Sequence, residues 1–301
     1  MSRTSTGSSS RRRPALAPGA PSSVPTHPSD VLATLQQLGV APSKGWGQSF
    51  LTDPFVADAE AALIGSAGTD GVLEIGGGLG ILTAAILRRR PGPVTVIERD
   101  PRLAGFLRST FGDQIRLVEG DALDVELPRV GCAIGNLPYS AATAILGRLF
   151  ARRIPRVIFL VQREVAERLA AGPGSKTYGR LSIFARLYGT VELYRTVGAE
   201  AFSPRPEVES RIGVHTARAG PLPVPHVPTL ERAVATLFSS RRKQLGNLLP
   251  RLTASRAEAD RLAAEAGWPA DWAGRRPEEL DPEAFFALAR AIDRPRAPRR
   301  D

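Results

Sequence analysis

The sequence predicts an α/β protein: a doubly wound, mostly parallel sheet followed by a small all-helical C-terminal domain. Three observations predict it. Between Gly71 and Val161, short apolar runs alternate with longer stretches of helical periodicity, the rhythm of βαβ units and a parallel sheet. The residues that break the apolar pattern, Gly76, Glu98, Asp121 and Asn136, each stand at or just beyond the end of such a run, where an open α/β sheet binds its ligands. Beyond the Pro-rich stretch 219–228, the chain carries only helical periodicity.

Taken in order, residues 1–30 are mostly Ser, Pro, Ala, Gly and Arg with little to bury, and read as a disordered basic tail. They lack the apolar core of a secretory signal, and their prolines argue against the amphipathic helix of a transit peptide. The sheet-bearing domain is expected over 31–218. Val31–Leu38 reads as a short helix. Lys44-Gly45-Trp46-Gly47-Gln48-Ser49-Phe50-Leu51 is a Gly-rich approach to a helix from Pro54 to Ile64; it is either a helix cap or a lid segment.

Val72–Ile75 is a short apolar strand ending in Gly76-Gly77-Gly78-Leu79-Gly80, with a helix at Ile81–Arg90. The strand Val94–Ile97 ends in Glu98, and a helix follows at Pro101–Thr110. A third strand, Ile115–Val118, ends in Glu119-Gly120-Asp121-Ala122, and a fourth, Val130–Ile134, leads to Asn136. Helix Ala141–Arg152, strand Val157–Val161 and helix Arg163–Ala171 complete the alternation. After the loop Pro173–Arg180 comes an amphipathic segment, Leu181–Leu187. Val191–Val197 and Arg211–His215 form a closing antiparallel pair, with Phe202-Ser203-Pro204-Arg205-Pro206 between them as a loop over the sheet's end, too rich in Pro for a strand interior. Residues 219–228 read as a stiff linker. Helices at Leu230–Phe238, Arg241–Leu249, Ser255–Ala266 and Pro282–Ile292 then make the helical domain, 229–293, ahead of a basic tail, 294–301.

Composition excludes several classes. In 301 residues there is room for one large domain and a smaller one. No apolar run approaches the ~20 residues of a membrane-spanning helix. One cysteine, Cys132, and three histidines, His27, His215 and His226, make neither a disulfide framework nor a conventional zinc site. Cys132 lies in an apolar strand and reads as a structural thiol, in keeping with a reducing cytoplasm. The net charge is +10, and residues 1–29 carry four Arg and no acid, so the rest of the chain still holds +6. A basic globular body favours a polyanion such as nucleic acid over a small acidic metabolite.

The chemistry converges on Asn136-Leu137-Pro138-Tyr139. An Asn carboxamide oxygen and a backbone carbonyl freed by a Pro can both accept from an exocyclic NH₂, and a Tyr face can stack on the ring. The same tetrapeptide also serves as a plain strand-to-helix turn. Glu74-x-Gly76-x-Gly78-x-Gly80, with Glu98 on the next strand, points to a nucleotide-like cofactor: glycines allow close backbone approach and the acid meets ribose hydroxyls. NAD and S-adenosylmethionine both fit that pattern. Three carboxylates at strand ends, Glu74, Glu98 and Asp121, suit a sulfonium cation rather than a pyrophosphate, and no His is placed for hydride transfer. These residues favour S-adenosylmethionine.

Seven motifs in order carry a family resemblance: Gly47-Gln48-Ser49-Phe50-Leu51, Leu73–Gly80, Val96-Ile97-Glu98, Gly120-Asp121-Ala122, Asn136–Tyr139, Tyr178-Gly179-Arg180-Leu181-Ser182 and Phe202-x-Pro204-x-Pro206-x-Val208-x-Ser210. With Phe238–Lys243 and Arg276–Leu280 they resemble the KsgA-type rRNA adenine N6,N6-dimethyltransferases, from about Lys44 to Ile292. The resemblance implies a Rossmann-like S-adenosylmethionine-dependent methyltransferase fold. It also implies transfer of two methyl groups to each of two adjacent adenines near the 3′ end of small-subunit rRNA, in an immature ribosomal subunit. It places the cofactor at Gln48, Ser49, Leu51, Glu74, Gly76, Gly78, Glu98, Asp121, Ala122 and Asn136. The target base falls to Asn136, Leu137, Pro138, Tyr139 and Phe202, with no metal. Ser49 stands where the family has Asn. Arg241, Arg242 and Lys243, with Arg232 and Arg251 nearby, are the expected RNA contacts of a monomeric enzyme, though such a run also serves as a solvated face. Rival readings are a macrolide-resistance methylase of large-subunit rRNA, a non-catalytic assembly or transcription factor on the same fold and, more distantly, a nicotinamide oxidoreductase.

Overall fold

The computed structural model describes residues 24–41 and 49–294. Lys44 to Gln48 and the ends of both tails lie outside them. The element order is α1 (Pro28–Gln37), β1 (Phe50–Leu51), α2 (Pro54–Ala62), β2 (Val72–Ile75), α3 (Ile81–Arg88), β3 (Val94–Glu98), α4 (Pro101–Phe111), β4 (Arg116–Glu119), β5 (Cys132–Asn136), α5 (Ala142–Ala151), β6 (Arg156–Gln162) and α6 (Arg163–Ala170). Then come α7 (Arg180–Tyr188), β7 (Gly189–Val197), β8 (Phe202–Ser203), β9 (Ser210–Ala217), α8 (Val227–Leu237), α9 (Leu245–Leu248), α10 (Arg256–Glu265) and α11 (Pro282–Asp293). Among the described residues no helix is long and apolar enough to cross a membrane.

Local chemistry explains the starts of the helices. Asp53 and Asp100 accept from the backbone N–H two residues on, Phe55 and Arg102, each at 2.9 Å, and a Pro follows each cap. Side-chain acceptors at N-caps and Pro in the first turn both use backbone N–H groups that a helix leaves unpaired. The strands β2 and β3 are buried at every position, because helices cover both faces of a parallel sheet; their sequences are therefore continuous apolar runs rather than alternating ones.

Seven strands pair in the order β4-β3-β2-β5-β6-β9-β7. The pairs β4–β3, β3–β2, β2–β5 and β5–β6 are parallel; β9 runs antiparallel to both β6 and β7. The chain winds outward from β2 to β4, then returns to place β5 on the other side of β2. This reversal is the topological switch point, where loops diverge and a crevice opens. The doubly wound, mostly parallel sheet and the antiparallel closing pair match the expectation from sequence, with element ends shifted by one to three residues.

Three local expectations are corrected. Phe202-Ser203 is a strand rather than loop: β8 pairs antiparallel with β1, setting Leu51 opposite Phe202. The prolines at 204 and 206 do end the pairing, but they leave room for a two-residue ribbon before them. The helix expected over Arg241–Leu249 breaks up. A 3₁₀ turn at Phe238–Ser240 and a turn through Lys243 precede the four-residue α9, and a second 3₁₀ turn runs to Leu252. Leu245 donates its N–H to the Arg275 carbonyl at 2.8 Å instead of to a preceding turn, and Pro250 prevents α9 from continuing as regular helix. The linker expected over 219–228 gives up Val227 and Pro228 to the first turn of α8, and Val224 is buried.

The helical region shares a core with the sheet. One hydrophobic cluster contains Leu73, Ile75, Val157 and Phe159 together with Leu230, Leu237, Phe285 and Phe286. The buried Tyr178 bridges the two parts: its hydroxyl donates to the Leu280 carbonyl at 2.9 Å, and its ring meets Phe238 edge-on at 6.1 Å. A second cluster, including Val56, Ile86, Val96, Ile134 and Ile212, packs the opposite face. Cys132 is buried there as a thiol whose pKa burial pushes up to about 12. On β9 the buried His215 stacks on Phe150 at 3.9 Å, and burial pushes its pKa down to about 4.

This packing makes two testable demands. Tyr178→Phe leaves the buried Leu280 carbonyl without its donor, so urea denaturation should show a loss of about 1–3 kcal/mol in unfolding free energy. The second concerns His215, which takes up a proton more readily unfolded than folded. Stability therefore falls as pH drops from about 6.5 towards 4, and histidine NMR should show one imidazole that does not titrate between those values.

Candidate active site

A cavity of about 210 Å³ opens at the carboxyl ends of β2, β3, β4 and β5, roofed by the β1–β8 ribbon. It collects residues that the sequence holds far apart. Ser49, Leu51, Gly76, Gly78, Glu98, Asp121, Ala122, Asn136, Leu137, Pro138, Tyr139 and Phe202 all line it. Of the residues expected at the cofactor, Gln48 lies outside the described residues. Glu74 is corrected in position: it is fully buried within the sheet and does not line the cavity. An acid in the interior of β2 points into the packing between strand and helix, whereas Glu98 closes β3 and reaches the crevice.

The floor is built for close approach. Gly76 has φ +78°, and a Cβ added there would meet nothing within 4 Å; the left-handed backbone requires glycine while the space beside it stays open. Glu98 receives two backbone N–H groups, Gly78 on Oε2 and Asp100 on Oε1, both at 2.9 Å. Burial raises its pKa, and these donors oppose the rise. Asp121 accepts from Leu123 N–H at 2.9 Å through Oδ1, and its Oδ2 lies 3.2 Å from Arg99 Nη1. Arg99 lines the cavity too, a residue that no sequence motif marks.

Asn136 is the last residue of β5, opposite Leu160 of β6. Leu137 continues the ladder by donating to the Leu160 carbonyl at 3.1 Å. Pro138 has no N–H to offer, so pairing stops and the chain turns into α5 through Ala141 N–H to Pro138 C=O, 3.0 Å. The Tyr139 hydroxyl lies 2.7 Å from Ser210 Oγ at the start of β9, which pins the ring at the cavity wall. On the other side Phe202 is held by the ribbon, whose register is fixed by Thr52 N–H donating to the Ala201 carbonyl at 2.8 Å.

Behind Asn136 stands a residue that sequence reasoning misses. Glu60 of α2 is fully buried. The Asn136 amide faces it, and with Glu60 ionised the amide is satisfied when Nδ2 is the end turned to it, donating to Oε1 at 3.1 Å and Oε2 at 2.7 Å. Burial, and then the neighbouring Glu74, hold the Glu60 pKa well above the usual carboxylate range. The Glu74 pKa is pushed up to about 8, chiefly by burial and against the lowering effect of the Thr83 hydroxyl beside it; that contact falls short of a well-formed hydrogen bond. A signal exists in the sequence: Val56, Ala57, Glu60 and Ala61 form the buried face of α2, and an acid in such a face is out of place.

The basic run behaves unevenly. Arg241 is held by Glu278, Nη2 to Oε2 at 3.0 Å, and donates to the Lys176 carbonyl at 2.8 Å. Arg242 and Lys243 are exposed on the turn before α9, away from the cavity lining.

Comparison with known proteins gives the family. The family model for ribosomal RNA adenine dimethylase matches residues 42–264. A relative from Natronomonas pharaonis, a probable ribosomal RNA small subunit methyltransferase A, is 41% identical over 85% of this chain and 95% of its own. The ribosomal RNA small subunit methyltransferase A of Rhodospirillum rubrum is 37% identical over 88% and 94%. Among solved structures, a dimethyladenosine transferase from Plasmodium falciparum shares the fold with TM-score 0.65 and 22% identity, over 79% of this chain and 95% of that one. The 23S rRNA methyltransferase ErmE aligns with TM-score 0.62 and 25% identity, over 81% and 100%. Matched by that family model over residues 42–264 and by these relatives over most of its length, the chain belongs to the ribosomal RNA adenine dimethylase family, the enzymes that methylate adenine in ribosomal RNA.

Proposed function

We propose that the protein transfers methyl groups from S-adenosylmethionine to the 6-amino groups of two adjacent adenines near the 3′ end of small-subunit rRNA, two methyls to each. The substrate is an immature small ribosomal subunit in the cytoplasm, and the enzyme acts as a monomer. The observation that carries this reading is that Asn136, Leu137 and Tyr139 share one cavity with Gly76, Glu98 and Asp121. An amine-gripping group and a nucleoside-gripping group then face the same space.

The residues fit the cofactor. The open space beside Gly76 admits a ligand against the backbone, and Glu98 and Asp121 offer carboxylates to ribose hydroxyls and an adenine amino group. The acids of the crevice, with Glu74 behind it, favour a cation over a phosphate. When bound, S-adenosylmethionine supplies an electrophilic methyl group on a positively charged sulfur. The chain's own task is to prepare the nucleophile. An adenine amino nitrogen is unreactive because its lone pair is delocalised into the ring. Asn136 Oδ1 and the Leu137 carbonyl accept its two protons and draw it towards tetrahedral geometry, which localises the lone pair. Tyr139 stacks on the base, and Phe202 covers the other face. The methylated amine is strongly acidic and loses its proton without a dedicated base. Alignment of this kind supplies up to roughly 7–11 kcal/mol.

The ErmE likeness keeps a large-subunit target as the rival reading. The helical region α8–α11 and the small-subunit relatives, matched over nearly their whole length, support the small subunit. Incubation with labelled S-adenosylmethionine and immature 30S or 50S particles, followed by mapping of the labelled adenines, distinguishes them; label confined to the large subunit would overturn the proposal. Asn136→Ala should lower methyl transfer by at least ~100-fold while calorimetry still detects cofactor binding. Arg242→Ala with Lys243→Ala should weaken particle binding and reduce the slope of log K against log salt by roughly one for each phosphate that the two side chains neutralise.

A further inference from the structure

Asn136 presents an amide with two nearly identical ends, and only one of them can accept a proton from an adenine amine. A carboxamide at a cavity wall is otherwise indifferent to a half-turn about its last torsion. The reverse orientation would offer Nδ2 to the amine and set donor against donor. Something must decide between the two.

We propose that Glu60 is a positioning residue for methyl transfer: from the buried face of α2 its carboxylate holds Asn136 Nδ2, so that Oδ1 is the amide atom left to the cavity. The inference rests on the reading of Asn136 given above and adds the group that orients it. The Asn136 amide lies against the Glu60 carboxyl, and in the orientation that satisfies an ionised Glu60 both of its oxygens are within hydrogen-bonding distance of Nδ2, at 3.1 and 2.7 Å. The contact joins α2 to the end of β5, elements 76 residues apart in Glu60 and Asn136. Glu60 is fully buried and does not line the cavity, so it does not touch substrate.

The placement is costly for a purely structural role. A buried carboxyl in an apolar helix face is destabilising relative to an apolar residue of similar size unless its hydrogen bonds compensate. The ionisable group that bears on it is Glu74 of β2, which in turn faces Glu98 of β3. Burial, and then this row of acids, favour the protonated form of Glu60, so the orientation of Asn136 turns on whether Glu60 carries its proton. Ionised, Glu60 accepts only, and Nδ2 is the amide end that it can hold. Protonated, it can donate to Oδ1, turn the amide over and withdraw the acceptor from the cavity.

The test uses the full-length enzyme with S-adenosylmethionine and immature small-subunit particles. Glu60→Leu, which keeps the helix face apolar, should fold, bind S-adenosylmethionine within about twofold of wild type and keep its KM for particles. Its kcat should fall roughly 10- to 100-fold, the range that misalignment of a reacting group produces. Glu60→Gln, which can hold Nδ2 through one oxygen but cannot ionise, should retain more of kcat than the Leu variant. It should also lose the acidic limb of the wild-type kcat–pH profile. A folded Glu60→Leu enzyme with wild-type kcat overturns the inference, as does an acidic limb that persists in Glu60→Gln. Failure of the wild-type enzyme to label rRNA adenine would instead overturn the parent reading, so the two failures are distinguishable.

Discussion

The parallel pairing of β2 with β5 is the constraint on which the rest depends. Val72, Leu73 and Glu74 lie in register with Cys132, Ala133 and Ile134, and the chain between them has gone out to β4 and back. Because the connections leave these two strands in opposite directions, a gap opens between them at their carboxyl ends. The approach is close: a Cβ on Gly135 would come within 2.6 Å of the Ile75 carbonyl. Glycine there lets β5 lie tight against the end of β2, which brings Asn136 to the cavity that Gly76 opens. A shift of one residue in this register would carry the Asn136 side chain to the other face of the sheet.

Around that gap the molecule concentrates acid in its interior. Glu60, Glu74 and Glu98 are all buried, and burial raises the pKa of each. Elsewhere the buried positions are overwhelmingly apolar, as hydrophobic burial demands. Departures from that rule collect at functional sites, where stability gives way to chemistry. The three acids divide by what satisfies them. Glu98 has backbone donors and Glu60 has the Asn136 amide, while Glu74 has the Thr83 hydroxyl beside it in a contact short of a well-formed hydrogen bond.

The walls of the site are held by contacts distant in sequence. The β1–β8 ribbon joins Leu51 to Phe202, and the Tyr139 hydroxyl reaches Ser210. The helical region is braced on the sheet through the shared cluster and Tyr178, so the turn bearing Arg242 and Lys243 stands on a fixed body rather than a swinging one. A large folded substrate read by shape and charge suits such a body, because its phosphates must meet cations at set positions.

Much of this was written locally in the chain. The strands β2, β3, β5 and β6 are apolar runs, Pro54 and Pro101 mark helix starts, and Gly76, Glu98, Asp121 and Asn136 stand at strand ends, so fold class and most of the cavity lining were legible from residue type and period alone. Motif order then pointed to the family. Only the tertiary structure decided what depends on partners far along the chain. Phe202 became a strand because β1 lies beside it. Glu74 withdrew behind the cavity because both faces of β2 are covered. Arg241 is tied to Glu278 and Lys176 while still partly exposed, and the helix expected around it broke where Leu245 found the Arg275 carbonyl. The orientation of Asn136 belongs to the same class. Periodicity tells which way a side chain leaves the backbone, but which end of an amide faces the cavity depends on what stands behind it, and here that is the Glu60 carboxyl of helix α2.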